Sequence, residues 1–288
     1  MTMPQTVKTN CRFCGYQCGL TATVENGRVT GVAPDPTQYP GDERIQHGCH
    51  RWRMAPQFLD HPDRVNYPLK RVGERGSGQW HRISWDQALD EIAEKLAGLK
   101  EQFGPETLAT CIGGPHAVYW PLHRFMTLFG SPNNVGIGQI CWNPGTLLHA
   151  ISYGWPLDNE LEPDLTGCLM LWGANHAESD NSLLWHRIQQ YSRTGKPLIV
   201  VDPRRTRTAE LATRWLPVRP GTDPVLALGL ISAIIQHRWY DAPFVDTWCH
   251  GFARLAGHLE PYTPGYVAEV TGIPAEQILE VARLYALQ

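Results

Sequence analysis

No stretch of this sequence approaches the eighteen or so consecutive apolar residues that a bilayer-spanning helix needs, so no membrane span is expected. Charge is also sparse. Charged residues make up 18% of the 288 positions and the formal net charge is −3. Nothing here offers a basic stripe to a phosphate backbone, which sets nucleic acid aside as a partner. The local exception is Arg204, Arg205 and Arg207, close enough together to meet a small anion. Internal repeats and low-complexity segments are absent as well. The opening MTMPQTVKTNC has no charged n-region, apolar h-region or twin arginine, so the expected location is cytoplasmic. In that reducing compartment cysteines serve as ligands more often than as disulfide partners.

What is present suits a folded globular chain. Hydrophobic residues are 42% of the total, well clear of a disordered composition. The length is enough for about two domains. With 23 prolines and 11 tryptophans, many rigid turns are expected in a chain packed around something large.

Three regions differ in texture. Residues 1–62 are rich in Cys, Gly and Pro. Their one alternating stretch, Leu20 to Val32, fits a hairpin around Asn26-Gly27. So little apolar periodicity points to a small domain held by a metal. From residue 63 the pattern turns to alternating helix and strand. Ser84 and Gln87 form a candidate capping box before Ala88, Leu89, Ile92, Ala93 and Leu96 at helical spacing. A short strand is expected over 108–112, then a helix from Pro121 to Phe129 stopped by Gly130. The alternation continues with a strand over 168–172 ending at Gly173, a helix over 182–193 closed by Gly195, a strand over 198–201 and a weaker one over 215–218. Helices are expected over 225–236 and 275–286, the latter with Pro274 in its first turn. Such alternation predicts an α/β fold, doubly wound about mainly parallel sheets, with ligands at the carboxyl ends of the strands.

The cysteines divide into two sets. Cys111, Cys141, Cys168 and Cys249 are scattered, while Cys11, Cys14 and Cys18 are followed, after thirty intervening residues, by Cys49. Thiolates are soft ligands, and four of them match the four iron corners of a 4Fe–4S cube. Gly15 and Gly19, just after two of the ligands, let the backbone fold tightly around it. A zinc ribbon and unrelated buried cysteines stand as the alternatives, although zinc ribbons usually carry two Cys-x-x-Cys pairs.

CRFCGYQCG with its distant fourth cysteine resembles the molybdopterin oxidoreductases, the molybdenum or tungsten enzymes that include formate dehydrogenases and nitrate reductases. The resemblance continues through HPDRVNYPLKRVGERGSGQWHRISWDQALDEIAEKL, RFMTLFGSPN, WGANHAES, DPRRTRTAELATRWLPVRPGTD and YDAPFVDTW, in the family's order. It implies a 4Fe–4S cluster on Cys11, Cys14, Cys18 and Cys49, and a bis-molybdopterin guanine dinucleotide cofactor carrying Mo or W. It also implies three segments: a cluster domain over 1–62, the first part of an α/β domain over 63–141, and a dinucleotide-binding α/β domain over 142–288.

The resemblance assigns further residues. Cys141, in GQICWNPG, stands where the family places its metal ligand, with Trp142 and Asn143 beside the substrate pocket; read alone, Cys141 is a small buried hydrophobe. Gly173 and Asn175 follow a strand, where backbone amides face a pyrophosphate. Asp202 matches the family's guanosine-contacting acid, Arg204 and Thr206 lie near phosphate or base, and Gly221, Thr222 and Asp223 match a later nucleotide contact. A helix cap and an ordinary glycine turn are the plainer readings of these positions. Many family members carry a Lys two residues beyond the fourth cysteine, between the two cofactors; here Arg51 holds that place, with packing on Trp52 as its structural alternative. His50, His116 and His149 read as solvent-facing or structural histidines.

Three functions follow from the resemblance. The first is two-electron or oxo-transfer chemistry on a small-molecule substrate, with the cluster relaying electrons to an electron-transfer subunit. The second is a non-redox hydratase resembling acetylene hydratase, a tungsten member of the family. That enzyme has an essential Asp directly after its second cluster cysteine, where this chain has Gly15. The third is an incomplete cofactor-binding piece, because family catalytic subunits are more than twice as long; a partner chain would then supply the C-terminal half.

Overall fold

The structure is a computed structural model that describes residues 3–13, 17–38, 51–113, 119–136, 138, 142–154, 161–179 and 182–288. Its described residues fall into two compact units, one within 3–154 and the other over 161–288.

The first unit opens with an antiparallel sheet of β1 (Gln5–Asn10), β2 (Gly19–Glu25) and β3 (Arg28–Pro34), in the order β1-β2-β3. The β2–β3 turn has positive φ at both Asn26 (49°) and Gly27 (78°). A two-residue hairpin of the primed type requires this, and Asn-Gly supplies it with little strain. The sequence reading found this hairpin and missed β1, whose QTVKTN is exposed along its length. Leu20 and Ala22 alternate onto the buried face of β2. A 3-10 turn (Arg51–Met54) and the short helix α1 (Ala55–Leu59) pack against β3.

A ribbon of β4 (Leu69–Arg71) and β5 (Trp80–Arg82) leads into α2 (Trp85–Phe103). Ser84 caps α2 by accepting the Gln87 N–H at 3.1 Å. The Gln87 side chain donates onward to Glu91 at 2.9 Å, so the expected capping box is closed on one side only. Two further strands, β6 (Thr110–Ile112) and β7 (Asn134–Gly136), pair in parallel around α3 (Tyr119–Phe129), and α4 (Trp142–Tyr153) follows.

In the second unit β8 (Leu169–Trp172), β9 (Leu198–Val201) and β10 (Arg214–Leu216) form a parallel sheet in the order β10-β9-β8. The central strand LIVV is fully buried, the continuous apolar run expected when helices cover both faces. Alternate residues serve opposite cores. Ile199 and Val201 pack with Leu226, Val267, Ile278 and Val281. Leu198 and Val200 pack with Leu171, Ile188 and Tyr191 on the other side.

The second of those cores is covered by α5 (Ser182–Ser192). The first is covered by α6 (Asp223–Gln236), α9 (Pro264–Thr271) and α10 (Ala275–Leu287), while α7 (Ala242–Trp248) and α8 (Phe252–Leu259) lie between α6 and α9 in the chain. Pro274 proves to be the residue capping α10 rather than a first-turn position. Among the described residues no helix is long and apolar enough to cross a membrane.

Candidate cofactor-binding site

At the cysteine end of the first unit, the Cys11 N–H donates to the Cys18 carbonyl at 2.7 Å, so both residues stand where β1 and β2 meet. Cys11 is buried and Cys18 half-buried. Asn10 Nδ2 donates to the Gln17 carbonyl at 3.0 Å and secures the turn, in which Gln17 has φ 48°. Cys14, Cys49 and Cys141 lie outside the described residues, as do His50 and His116. Among the described residues no three His, Cys, Asp or Glu side chains are grouped to hold a metal ion. Arg51 is half-buried at the start of its 3-10 turn. Next to it, the Arg53 guanidinium lies over the Trp52 ring, 5.1 Å from the centroid. His149 packs near the Tyr153 ring on α4.

In the second unit the carboxyl ends of β8, β9 and β10 carry the remaining predicted residues. Gly173 leaves β8 with φ 59° and Gly221 precedes α6 with φ 84°. A Cβ at either position would meet nothing within 4 Å, so backbone conformation rather than lack of space calls for glycine there. Trp172 Nε1 donates to Asp223 Oδ1 at 2.7 Å, tying the last residue of β8 to the first of α6. The Thr222 hydroxyl donates to the Arg219 carbonyl at 2.7 Å and leaves the α6 N-terminus without a side-chain cap. A helix start of this kind favours an anion.

The loops after β8 and β9 are joined by a polar network. The fully buried Thr208 donates to Asn175 Oδ1 at 2.9 Å and accepts the Ala177 N–H at 3.2 Å. Asn175 Nδ2 donates to Glu178 at 2.9 Å, and Arg204 pairs with the same carboxylate at 3.6 Å. Asp202 Oδ1 accepts the Arg204 N–H at 2.8 Å, a turn-forming role that leaves Oδ2 unengaged among the described residues. The Thr206 hydroxyl is buried and accepts the Ala209 N–H at 3.1 Å, so it caps the local turn. Arg205 lies over the Trp215 ring at 5.9 Å.

The sequence reading passed over His176. Its Nδ1 is buried with no hydrogen-bond partner among the described residues, and burial holds the imidazole pKa below its ordinary value, which favours the neutral ring. Glu178 and Thr208 were also missed. Their only signal was a place inside segments already singled out, WGANHAES and DPRRTRTAE.

Two family profiles match this arrangement. The one described as the molybdopterin oxidoreductase Fe4S4 domain covers residues 4–61, and the one described as molybdopterin oxidoreductase covers residues 64–264. The chain belongs to the molybdopterin oxidoreductase family. Among this family, acetylene hydratase of Syntrophotalea acetylenica is 37% identical over 96% of the chain, and a dimethyl sulfoxide reductase of Haemophilus influenzae is 34% identical over 94%. A thiosulfate reductase molybdopterin-containing subunit of Salmonella typhimurium is 30% identical over 95%. The solved structure of acetylene hydratase from Pelobacter acetylenicus superposes with a TM-score of 0.74 at 35% identity, over 96% of the chain. The chain spans 38% of the length of that structure and of the first two relatives, and 35% of the third.

The residues present fit the groups this family implies. Two thiol-bearing residues meet at one end of β1–β2, the donor chemistry an iron–sulfur cluster takes. The strand ends of the second unit combine an imidazole nitrogen with no partner among the described residues, glycine turns and an uncapped helix start, which suit a phosphate-bearing ligand with hydrogen-bonding edges.

Proposed function

We propose that this chain is the cluster-binding and first nucleotide-binding portion of a molybdenum or tungsten catalytic subunit. The observation that carries the reading is the convergence of Gly173, Asn175, Asp202 and the α6 N-terminus at the carboxyl ends of one parallel sheet. Cys11, Cys14, Cys18 and Cys49 hold a 4Fe–4S cluster, and Cys141 ligates the Mo or W of bis-molybdopterin guanine dinucleotide. Bound there, the metal supplies two-electron or Lewis-acid chemistry. The protein's own residues bind and orient. Gly173 and Gly221 expose backbone amides to a pyrophosphate, Asp202 Oδ2 accepts from a guanine or ribose edge, and Gly221, Thr222 and Asp223 border the same ligand. Arg204 and Thr206 shape the loop beside it, and Arg51 keeps a positive charge near the cluster. The segments over 1–62, 63–141 and 142–288 divide these tasks as cluster holding, first α/β part and nucleotide binding.

For the reaction, the comparisons give hydration of an unsaturated small molecule more weight than the sequence did, since acetylene hydratase is matched both by sequence and by structure. Gly15 favours the second reading, oxidoreduction or oxo transfer, because glycine has no group to move a proton where the hydratase carries its essential Asp. The apolar face of α2 is covered by a further polypeptide segment that completes the α/β layer. An electron-transfer subunit serves the redox reading.

Metal, pterin and guanine-nucleotide analysis of the anaerobically purified chain, with its reduced-state EPR spectrum, tests the assignment. Iron with a 4Fe–4S signal is expected, and absence of both iron and nucleotide would sink it. Stoichiometric Mo or W on the isolated chain would overturn the need for a completing segment. Acetaldehyde formed from acetylene, set against viologen-linked sulfoxide reduction, separates the two reactions.

A further inference from the structure

The first unit contains a buried charge that ligand binding and electron relay leave unexplained. Asp35 directly follows β3, and the residue is only 2% exposed. Four donors converge on its carboxylate. Oδ1 accepts the Thr37 N–H at 2.9 Å and the Thr37 hydroxyl at 2.7 Å. Oδ2 accepts Gln38 Nε2 at 2.8 Å and pairs with Lys8 Nζ at 3.3 Å. Lys8 also donates to Thr37 Oγ1 at 2.8 Å. A buried carboxylate is tolerated when its lone pairs are filled in this way.

The partners come from three places around the cysteines. Lys8 lies on β1, three residues before Cys11. The Asp35 N–H donates to the carbonyl of Gly19, the residue after Cys18, at 3.0 Å. Thr37 and Gln38 begin the stretch of chain that runs to Cys49. The turn lies so close to β2 that a Cβ on Gly19 would stand 2.3 Å from Gln38 Cβ. Glycine is therefore required at position 19 by close approach.

We propose that Asp35 is the positioning residue of the cluster site: its buried carboxylate locks the ends of β1 and β2 that carry Cys11 and Cys18 to the Thr37–Gln38 turn after β3. It touches no sulfur and acts through the backbone it holds. This rests on the reading of the four cysteines as cluster ligands.

The test is anaerobic reconstitution of the full 288-residue chain with iron and sulfide. The readouts are iron per chain, the reduced-state EPR line shape and the rate of bleaching by an iron chelator. Asp35→Asn keeps the shape but presents an NH2 to the Gln38 and Lys8 donors. Its cluster is expected to bleach about tenfold faster than wild type, with a broadened EPR signal. Thr37→Val, the milder change, is expected to bleach about threefold faster, and it decides the matter if Asp35→Asn does not fold. Val24→Ala weakens β2 at its far end and is expected to bleach within about twofold of wild type. A wild-type chain that takes up no cluster overturns the cysteine reading itself. A wild-type cluster matched in bleaching and line shape by the Asp35 and Thr37 variants overturns the positioning role alone. Equal bleaching in Val24→Ala and Asp35→Asn also overturns it, because general destabilisation would then explain both.

Discussion

Among the described residues, the second unit closes around its parallel sheet, while the first leaves its α/β layer open. Around β9 two apolar cores fill opposite faces, and all four residues of the strand are fully buried. Around β6 and β7 there is only a two-stranded parallel pair among the described residues. Of the nineteen residues of α2, only Ala88 is buried, and Trp85, Leu89 and Ile92 are exposed. A groove of about 1120 Å³ runs between this helix and the β4–β5 ribbon, lined by Tyr67, Leu69, Trp80, Trp85, Ile92 and Leu96. An amphipathic helix is stabilised by what its apolar face meets more than by propensity. Both units carry the same βα pattern, and what distinguishes them is whether the described residues supply a second layer to receive that face.

The comparison breaks first at the closed core. Leu226 is fully buried, and Leu226→Ala should lower unfolding stability by about 2–5 kcal/mol in urea titrations. A loss below about 1 kcal/mol would mean that the core is less tightly packed than described.

Gly229 sharpens the contrast. A Cβ there would stand 2.6 Å from Val267 Cγ2, so Gly229→Ala should cost about 1–3 kcal/mol by overpacking, despite the better helix propensity of alanine. A stabilised variant would show that α6 and α9 have room to separate.

A smaller effect is expected at His176. Its imidazole pKa is depressed by burial from an ordinary value of 6.5. Between the two values the unfolded chain binds a proton that the folded chain does not. Stability should therefore fall as pH drops below about 6.5, levelling out beneath the folded-state pKa. Urea midpoints across that range should show a shallower acid slope in His176→Phe, and an unchanged slope would contradict its burial.

The smallest effect belongs to the open face. Leu89→Ser should change stability by less than about 0.5 kcal/mol while reducing binding of a hydrophobic dye. A loss comparable to Leu226→Ala would show that α2 is covered in solution.

Much of the architecture was legible in the sequence. LIVV read as a buried strand because a short continuous apolar run, rich in β-branched residues and bounded by turn residues, has few other solutions. Asn26-Gly27 announced a hairpin, and Gly130 and Gly195 marked helix ends, because left-handed backbone is cheap only for such residues. α4 and α7 to α9 were missed, and so was β1, which has no buried face to imprint a pattern on its residues. At the candidate site Gly173, Asn175 and Asp202 were read correctly as strand-end residues. His176, Glu178 and Thr208 were not singled out, because nothing local distinguishes a buried imidazole or hydroxyl from an exposed one. Asp35 was missed for the same reason.

By itself the sequence determined the set of four clustered cysteines, the family, and the alternation of strands and helices. These are encoded locally, in ligand spacing, periodicity and turn residues. Only the tertiary structure decided which loops meet. Thr208 reaches Asn175 across two strand ends, Lys8 reaches Asp35 from the other side of a sheet, and Arg53 stacks on Trp52. The physical reason is that an apolar pattern tells each element which face to bury, while polar contacts between distant loops depend on register and packing that no local window contains.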